Sequence, residues 1–301
     1  MPDERPFSLG RGAAFMTASA FLFAGMSLAV KLAAQSLPNT VVVFFRCAVG
    51  LVLLLPWLAR QGPAALRTRR PVEHAVRGLS GLLAMSCGFY AMGHMRLADA
   101  VLLNYSLPLL LPLVERAWLG LRIARRLWLP LGVGFLGLLI ILRPGSSVFG
   151  AAALAGLGSA FFASIAQVGI RSMASSEPTT RIVFYFALIS TAGAALPLPF
   201  TWVTPGTSAW PPLLAAGVLA TAGQFTLTRA YIYAPASRVG PFIYLTPVLS
   251  GLFDWALWGV LPDGLFFAGA LLVVAAAVLA LRLRETAASP VPMEEVASTS
   301  S

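Results

Sequence analysis

Long apolar runs separated by short polar segments are the dominant pattern of the chain. A membrane-spanning helix needs about 20 mainly apolar residues, because the hydrocarbon layer is about 30 Å thick and a helix rises about 1.5 Å per residue. Ten segments meet this requirement: 13–33, 40–59, 73–93, 98–119, 127–143, 150–172, 181–200, 211–233, 237–259 and 264–281. The pattern therefore predicts an all-α integral membrane protein with ten transmembrane helices.

The composition supports this class and excludes two others. Of 301 residues, 58% are hydrophobic and only 11% are charged, whereas soluble chains are about 25% charged. A soluble globular domain is therefore excluded, and the apolar content excludes a disordered chain. Only the ends differ: residues 1–12 are predicted to be a cytoplasmic tail, and residues 285–301, rich in Ala, Ser, Pro and Glu, a disordered cytoplasmic tail.

The net charge of +10 has an uneven distribution along the chain. If the N-terminus is cytoplasmic, that side collects sixteen basic residues: Arg5, Arg11, Arg60, Arg67, Arg69, Arg70, Arg77, Arg122, Arg125, Arg126, Arg171, Arg181, Arg229, Arg238, Arg282 and Arg284. The opposite side receives three, Lys31, Arg96 and Arg143. Basic residues accumulate on the cytoplasmic side of membrane proteins. We therefore expect both termini in the cytoplasm of a bacterial inner-membrane protein, with the lipid bilayer and not nucleic acid as the partner.

The two halves of the chain resemble each other. A shift of 140 residues superposes Pro38 on Pro178 and Val43-Phe44 on Val183-Phe184, and a shift of 139 superposes Tyr105 on Tyr244, Pro108 on Pro247 and Glu115 on Asp254. Each half, 13–145 and 146–284, holds five predicted spans. Because five is odd, the second half enters the membrane from the opposite face. This arrangement is an inverted repeat, which is typical of alternating-access transporters with a midplane site.

With these residues the chain resembles the drug/metabolite transporter superfamily, specifically the ten-helix EamA-type transporters, over about residues 12–283. The marks are a basic residue ending the first span of each half, Lys31 and Arg171, and an Ala followed by Pro at the same spacing, Ala91 with Pro108 and Ala230 with Pro247. Val43-Phe44-Phe45-Arg46 and Arg77-Gly78 resemble members that move amino acids, opine-type metallophores, riboflavin or S-adenosylmethionine. The chain departs from the family where Leu121 and Val260 stand in place of a Glu after Gly120 and Gly259.

Charged residues inside the predicted spans are the first candidates for function, because a buried charge costs about 2.5–3.5 kcal/mol on insertion scales. Arg46 lies on the outer side of the second span, and Asp254 lies at a similar depth in the ninth. The two could form a gating ion pair, or Arg46 could bind an anionic group of the substrate. A third interpretation is that the long side chain of Arg46 reaches the membrane interface.

A second charged pair lies towards the cytoplasmic side. Glu115 is near the end of the fourth span, and Arg229 of the eighth span is at comparable depth. A partly buried carboxylate there could exchange protons, so Glu115, Arg229 and Asp254 are predicted gating or coupling residues. A plain surface pair, with Arg116 adjacent, is the alternative for Glu115.

Two prolines in mid-span predict helix interruptions. Pro108 and Pro247 cannot donate to the helix ladder and free the carbonyls of Asn104 and Ile243. The substrate cavity is therefore predicted around these positions. The alternative is that the two prolines only kink their helices for packing. Its candidate residues are Arg46, Asn104, Tyr105, Ser106, Tyr244 and Thr246, with Tyr90, Gln224 and Tyr231 as further walls or as packing and interface residues.

Enzyme and metal motifs are missing from the sequence. Lys31 has no Gly-rich segment before it, His74 and His94 form no HExxH site, and Cys47 and Cys87 form no CxxC pair. No cofactor and no metal site is therefore expected. The sequence predicts an exporter of a small polar, carboxylate-bearing metabolite, facilitative or coupled to protons or another gradient. Uptake of riboflavin or S-adenosylmethionine is the alternative, followed by a membrane-embedded enzyme or a non-transporting sensor.

Overall fold

The computed structural model describes residues 8–95, 97–121, 124–143, 150–259 and 261–283, without the side chains of residues 89, 92, 93, 97–99, 254 and 258. Residues 1–7 and the predicted tail of residues 285–301 lie outside the described residues, as does the side chain of Asp254. Every regular element within the described ranges is helical. The prediction of an all-α chain is confirmed for this part of the protein.

Thirteen α-helices make up the described structure: α1 Leu9–Ala33, α2 Asn39–Gln61, α3 Pro71–His94, α4 Leu97–Asn104, α5 Leu107–Leu119, α6 Trp128–Leu142, α7 Ala151–Met173, α8 Thr179–Ala195, α9 Leu198–Thr201, α10 Trp210–Tyr233, α11 Ala236–Val239, α12 Leu245–Trp258 and α13 Gly264–Arg282. Short 3-10 helices occupy Pro63–Leu66, Arg125–Leu127, Thr207–Ala209 and Gly240–Tyr244. The first helix begins earlier than residue 13 because the Ser8 side chain caps it, accepting the amide N–H of Arg11.

Six stretches of helix in the described chain are long and apolar enough to cross a membrane. They are Leu9–Ala33, Asn39–Gln61, Ala100–Leu119, Arg125–Leu142, Ala151–Met173 and Gly264–Arg282. The helix Thr179–Ala195 is shorter and also apolar. Two further helices, α3 and α10, have 24 residues each and carry Arg77 and Gln224 well inside their ends. Length and composition thus agree with a multi-pass membrane protein.

Two of the predicted spans are interrupted next to their prolines. α4 ends at Asn104 and α5 begins at Leu107, with Pro108 in its first turn. In the second half, the 3-10 helix Gly240–Tyr244 precedes α12, whose third residue is Pro247. A proline in the first turn removes no intrahelical hydrogen bond, so the helix starts again there. At the first interruption, the N–H groups of Tyr105 and Ser106 donate to the carbonyls of Val101 and Leu103.

Small residues let the helices pack closely. α1 packs along α10, α3 along α7, and α6 along α13, while α2 lies between α8 and α10. At the contact of α6 with α13, a Cβ on Gly137 would come within 2.6 Å of the Gly269 carbonyl oxygen. The central core combines Met16, Leu111, Ile170 and Tyr231 from α1, α5, α7 and α10. The interior polar residues lie beside this core.

Candidate functional site

A small cavity between α2, α8 and α10 is named the arginine cavity. It is lined by Arg46, Cys47, Gly50, Val183, Phe186, Ala187, Ser190, Ala220, Thr221 and Gln224. Its volume of about 30 Å³ is enough for about one water molecule. The lining therefore carries one cation and few other polar groups, in a space too small for a metabolite in this conformation.

Arg46 of α2 is half-buried and contacts two thioethers. Its Nε lies 3.1 Å from the Met26 sulfur, and its Nη1 lies 2.8 Å from the Met85 sulfur. Thioether sulfur is only a weak acceptor. The guanidinium is thus held by the helix bundle without a strong hydrogen-bond acceptor among these contacts.

Arg77 of α3 adds a second internal guanidinium. It is 4% exposed, its Nη2 donates to Gln224 Oε1 at 2.8 Å, and its central carbon lies 3.9 Å from the centre of the Phe186 ring. Its Nε has no hydrogen-bond partner. Arg77, which the sequence analysis counts with the cytoplasmic side, lies two turns inside α3, where the ring and the amide accommodate its charge.

The two positive charges are not balanced by a described acid. Within the described side chains, the ion pairs involve Glu73, Glu177 and Asp263, and none of them includes Arg46 or Arg77. Asp254 lies outside the described side chains, so its pairing with Arg46 stays a prediction. Uncompensated cations in a low-dielectric interior favour an anionic ligand strongly. This geometry can bind carboxylate groups.

A larger cavity lies beside the helix interruptions and is named the helix-break cavity. Its volume is about 190 Å³. The lining comes from α1, α7, α10 and both interruptions: Met16, Ser19, Ala20, Phe23, Met26, Ser27, Asn104, Tyr105, Leu107, Ala163, Gln167, Leu227, Ile243 and Thr246. It contains hydroxyl and amide groups but no charged residue. Met26 lines this cavity, and its sulfur contacts Arg46, which lines the arginine cavity.

Five of the predicted cavity residues line these spaces. Asn104, Tyr105 and Thr246 line the helix-break cavity, and Gln224 lines the arginine cavity with Arg46. The Asn104 amide donates to Ser159 Oγ at 2.6 Å. Three of the polar residues that flank the interruptions, Asn104, Tyr105 and Thr246, therefore lie on the wall of one cavity.

Ser106, Tyr244 and Tyr90 are placed elsewhere. The Ser106 hydroxyl donates to the Leu103 carbonyl within its own turn. Tyr244 is fully buried, with its ring against Gly134 on α6, and its hydroxyl has no hydrogen-bond partner. Tyr90 is exposed and stacks on His94. None of these three lines either cavity, because each side chain turns to a neighbouring turn or helix.

Tyr231 lies behind the helix-break cavity. It is fully buried in the central core, and its hydroxyl is hydrogen-bonded to Gln167 Oε1. Because Gln167 lines the cavity, Tyr231 supports the cavity wall from the α10 side. The sequence analysis does not name Gln167, although a Gln inside an apolar span is the same signal that singles out Gln224.

Glu115 has different partners from those predicted. It is 1% exposed, and its two carboxylate oxygens accept the amide N–H groups of Ala236 at 2.6 Å and Ser237 at 3.0 Å. Arg229 lies instead over the Phe15 ring, 5.9 Å from its centre. The pairing of Glu115 with Arg229 is therefore wrong. The start of α11 has free N–H groups, and these attract the carboxylate.

The comparisons with known proteins identify the family. The EamA-like transporter family matches residues 10–143 and, a second time, residues 150–282. The chain belongs to the EamA-like transporter family. The expected resemblance is thereby confirmed, and the two matches cover nearly all of the described helices.

Several curated relatives of this EamA-like transporter align over most of its length. The Pseudopaline exporter CntI of Pseudomonas aeruginosa is 38% identical over 280 residues, which are 92% of this chain and 98% of the relative. The Riboflavin transporter of Vibrio cholerae is 28% identical and covers 88% of this chain and 90% of its own. The S-adenosylmethionine uptake transporter of Rickettsia prowazekii is 26% identical over 78% of this chain and 80% of the relative.

A solved crystal structure shares the fold. It superposes with a TM-score of 0.77 at 22% identity, covering 89% of this chain and 96% of the other. Together, the family and the relatives make this protein a multi-pass bacterial membrane transporter of a small molecule, not an enzyme.

Proposed function

We propose that this EamA-like transporter exports a small carboxylate-bearing metabolite, an amino acid or an amino-acid-derived opine-type metallophore, by alternating access. The observation that carries the proposal is the pair Arg46 and Arg77, two internal guanidinium groups whose described partners are thioethers, an aromatic ring and one amide. Guanidinium groups bind carboxylates with two parallel hydrogen bonds. An anionic substrate would provide the acceptors that these groups lack.

The relatives support export of this substrate class. The relative at 38% identity is named for export of pseudopaline, whereas those named for riboflavin and S-adenosylmethionine are 28% and 26% identical. Uptake of one of these two compounds is the alternative. Riboflavin fits the charges less well because it has no carboxylate. S-adenosylmethionine has one carboxylate, but its ammonium and sulfonium give it a net positive charge that two guanidinium groups would repel.

The alternating-access cycle rests on ten spans arranged as an inverted repeat of the halves 13–145 and 146–284. Two family matches, one in each half, support it. The helix contacts also support it. If each helix is replaced by its counterpart in the other half, the contact of α1 with α10 becomes the contact of α7 with α3, and the contact of α6 with α13 is unchanged. Both termini are proposed to be cytoplasmic, on the Arg-rich side.

Gating and coupling are assigned to Glu115, Arg229 and Asp254, with protons as the candidate coupling ion. Glu115 is the best supported of the three, because its carboxylate holds the start of α11, and α11 leads into the interruption at Gly240–Tyr244. A proton on Glu115 would remove an acceptor from that start. Movement of α11 would then change the wall at Ile243 and Thr246.

Inside-out membrane vesicles that contain the full chain test the substrate and the direction. Labelled pseudopaline, riboflavin and S-adenosylmethionine are offered separately, and accumulation is measured. We expect accumulation of pseudopaline alone, since export from a cell is uptake into such vesicles. Accumulation of riboflavin or S-adenosylmethionine in right-side-out vesicles, without pseudopaline transport, would favour the alternative.

Arg46→Ala tests the role of the internal charge. We expect it to abolish pseudopaline accumulation while the protein still inserts in the membrane. Arg60→Ala, which removes an exposed arginine at the end of the same helix, is the matched control and should leave accumulation unchanged. Normal flux in Arg46→Ala would mean that Arg46 only reaches towards the interface.

A further inference from the structure

The linker between α2 and α3, residues 62–70, is held to the second half of the chain at the Arg-rich end of the bundle. The Arg181 Nε donates to the Ala65 carbonyl at 2.6 Å, and the Tyr185 hydroxyl donates to the Leu66 carbonyl at 2.7 Å. Both donors belong to the first turns of α8. We call these bonds, with those of Glu177 described next, the linker contact.

Glu177 is the centre of the linker contact. Its Oε1 accepts the Thr68 hydroxyl of the linker at 2.5 Å, and its Oε2 accepts Arg181 Nη1 at 2.7 Å. The Glu177 side chain is only 2% exposed. Burial by itself raises the pKa of the Glu177 carboxyl, but the hydrogen bonds from Thr68 and Arg181 outweigh it and hold the pKa below its ordinary value. Glu177 therefore stays charged at any pH near neutral.

His74 in the first turn of α3 is buried against the same carboxylate. It is 2% exposed, its ring centre lies 4.5 Å from that of Tyr185, and its Nε2 lies 3.8 Å from Glu177 Oε2. Neither ring nitrogen has a hydrogen-bond partner. A buried polar group without a partner costs about 1–3 kcal/mol. The proposed binding of substrate by Arg46 and Arg77 does not explain why a histidine is buried at this position.

The charges around His74 oppose each other: the Glu177 carboxylate favours a proton on the ring, and the Arg181 guanidinium disfavours it. Glu177 of the α7–α8 loop already has the Arg181 guanidinium of α8 on the oxygen that faces His74. The other nearby acid, Glu73 of α3, is paired with Arg70 of the linker at 2.8 Å. A proton on His74 would therefore be a charge held away from water, facing a carboxylate that already accepts from Arg181, and burial is the main cost of that charge.

We infer that His74 is a proton-binding site whose occupation opens the linker contact. The proton binds better when the ring can reach water, which requires the linker and the start of α8 to separate. By linkage, a proton that prefers the open arrangement shifts the population towards it. The inference rests on the proposed function for its meaning in transport, since the linker contact joins the two halves on the proposed cytoplasmic side.

A distance measurement in the substrate-free full chain tests the site. Spin labels are attached at Ala64→Cys in the linker and Ser175→Cys in the α7–α8 loop, both exposed, after Cys47→Ala and Cys87→Ala. The labelled protein in lipid nanodiscs is measured at about pH 8 and about pH 5.5, which spans the ordinary titration range of histidine. We expect the population with the longer label distance to at least double at the lower pH.

The two histidines of the chain provide a matched pair of variants. His74→Gln should abolish the pH response, and its distances at pH 8 should equal those of the parent, which also checks its fold. His94→Gln changes the exposed histidine of α3 and should keep the full response. A pH response that persists in His74→Gln, or no response in the parent, would overturn the inference.

Thr68→Val tests the linker contact without touching His74. It removes the hydrogen bond to Glu177, so the longer distance should be more populated than in the parent at both pH values. Distances identical to those of the parent would contradict the assigned role of Glu177. No substrate is present in these measurements, so their failure would leave the proposed export and the role of Arg46 standing.

Discussion

The arginine cavity and the helix-break cavity differ in both size and chemistry. The first measures about 30 Å³, and two guanidinium groups, Arg46 and Arg77, point to it or to its lining residue Gln224. The second measures about 190 Å³ and is lined by neutral hydroxyl, amide and apolar groups. Under the proposed function, the first cavity would provide the charge that binds a carboxylate, and the second would provide space for the neutral part of the substrate.

The two cavities also arise from different sequence features. Continuous helices, α2, α8 and α10, form the arginine cavity, whereas the interruptions before Pro108 and Pro247 form the other. The interruptions occur in both halves, but the shift of 140 residues places Phe186 opposite Arg46. The charge is therefore a departure from the repeat, and Phe186 instead packs on Arg77.

After Arg46→Ala, Arg77→Gln should have the largest effect on transport. The variant keeps a donor for Gln224 but removes the buried charge, and the loss of a charged hydrogen bond to a carboxylate corresponds to about a tenfold or greater loss. Pseudopaline accumulation in inside-out vesicles is the measurement, with Arg60→Gln as the control. Normal transport by Arg77→Gln would contradict the special role of the arginine cavity and its difference from the helix-break cavity.

Glu115→Ala should reduce transport by about two- to fivefold, in line with the roughly 1 kcal/mol typical of a lost helix cap. The N–H groups of Ala236 and Ser237 lose their acceptors, and the wall at Ile243 shifts. Glu115→Gln, which keeps one acceptor oxygen, should lie between the parent and Glu115→Ala. The neighbouring Arg116→Ala, an exposed site, should transport as the parent does; an equal loss there would point to a general effect of the α5 end.

Asn104→Ala should raise KM by about threefold and leave kcat unchanged. The Asn104 amide would donate one neutral hydrogen bond to the substrate, worth about 0.5–1.5 kcal/mol. We expect this bond to stabilise the bound substrate and the transition state of transport equally. Ser86→Ala, on the exposed side of α3, serves as the control. A tenfold loss of kcat in Asn104→Ala would mean that the helix-break cavity is as decisive as the arginine cavity.

Gly137→Ala should lower stability without changing transport per folded molecule. Its Cβ would meet the Gly269 carbonyl at 2.6 Å, and overpacking of this kind costs about 1–3 kcal/mol. Gly132→Ala on the same helix has no atom within 4 Å of its added Cβ and should leave the melting temperature unchanged. A selective loss of transport in Gly137→Ala would show that α6 takes part in the cycle.

Asp263→Asn should have the smallest effect. The hydrogen bond from Arg143 holds the pKa of the Asp263 carboxyl below its ordinary value. Any contribution of this carboxylate to the free energy of unfolding is therefore present at pH values above the ordinary pKa, and it is lost as the pH falls through the lowered pKa. Both side chains are exposed, and exposed pairs contribute little. The melting temperature of Asp263→Asn should match that of the parent at neutral pH; a clear drop would contradict this.

The sequence predicts the helices better than the contacts between them. Apolar runs and prolines locate the interruptions beside Pro108 and Pro247, because helix geometry and the missing proline N–H act locally. Asn104 and Thr246 follow from the same local rule. These positions can therefore be predicted without knowing which helices are neighbours.

The partners of the charged residues depend on tertiary packing and could not be read from spacing. Arg77 resembles a surface arginine near a helix start, and only the approach of Phe186 and Gln224 makes it internal. Glu115 has Arg229 at a similar depth, yet the start of α11 is the group in contact. One available signal was that Arg77 lies inside a predicted span, where a charge indicates function.

A thermodynamic cycle on the purified protein tests the central claim most directly. The dissociation constants of pseudopaline and of its carboxyl methyl esters are measured by calorimetry for the parent and for Arg46→Ala. If the guanidinium binds a carboxylate, esterification should weaken binding to the parent by about tenfold or more and binding to Arg46→Ala much less. An equal loss in both proteins would contradict the account.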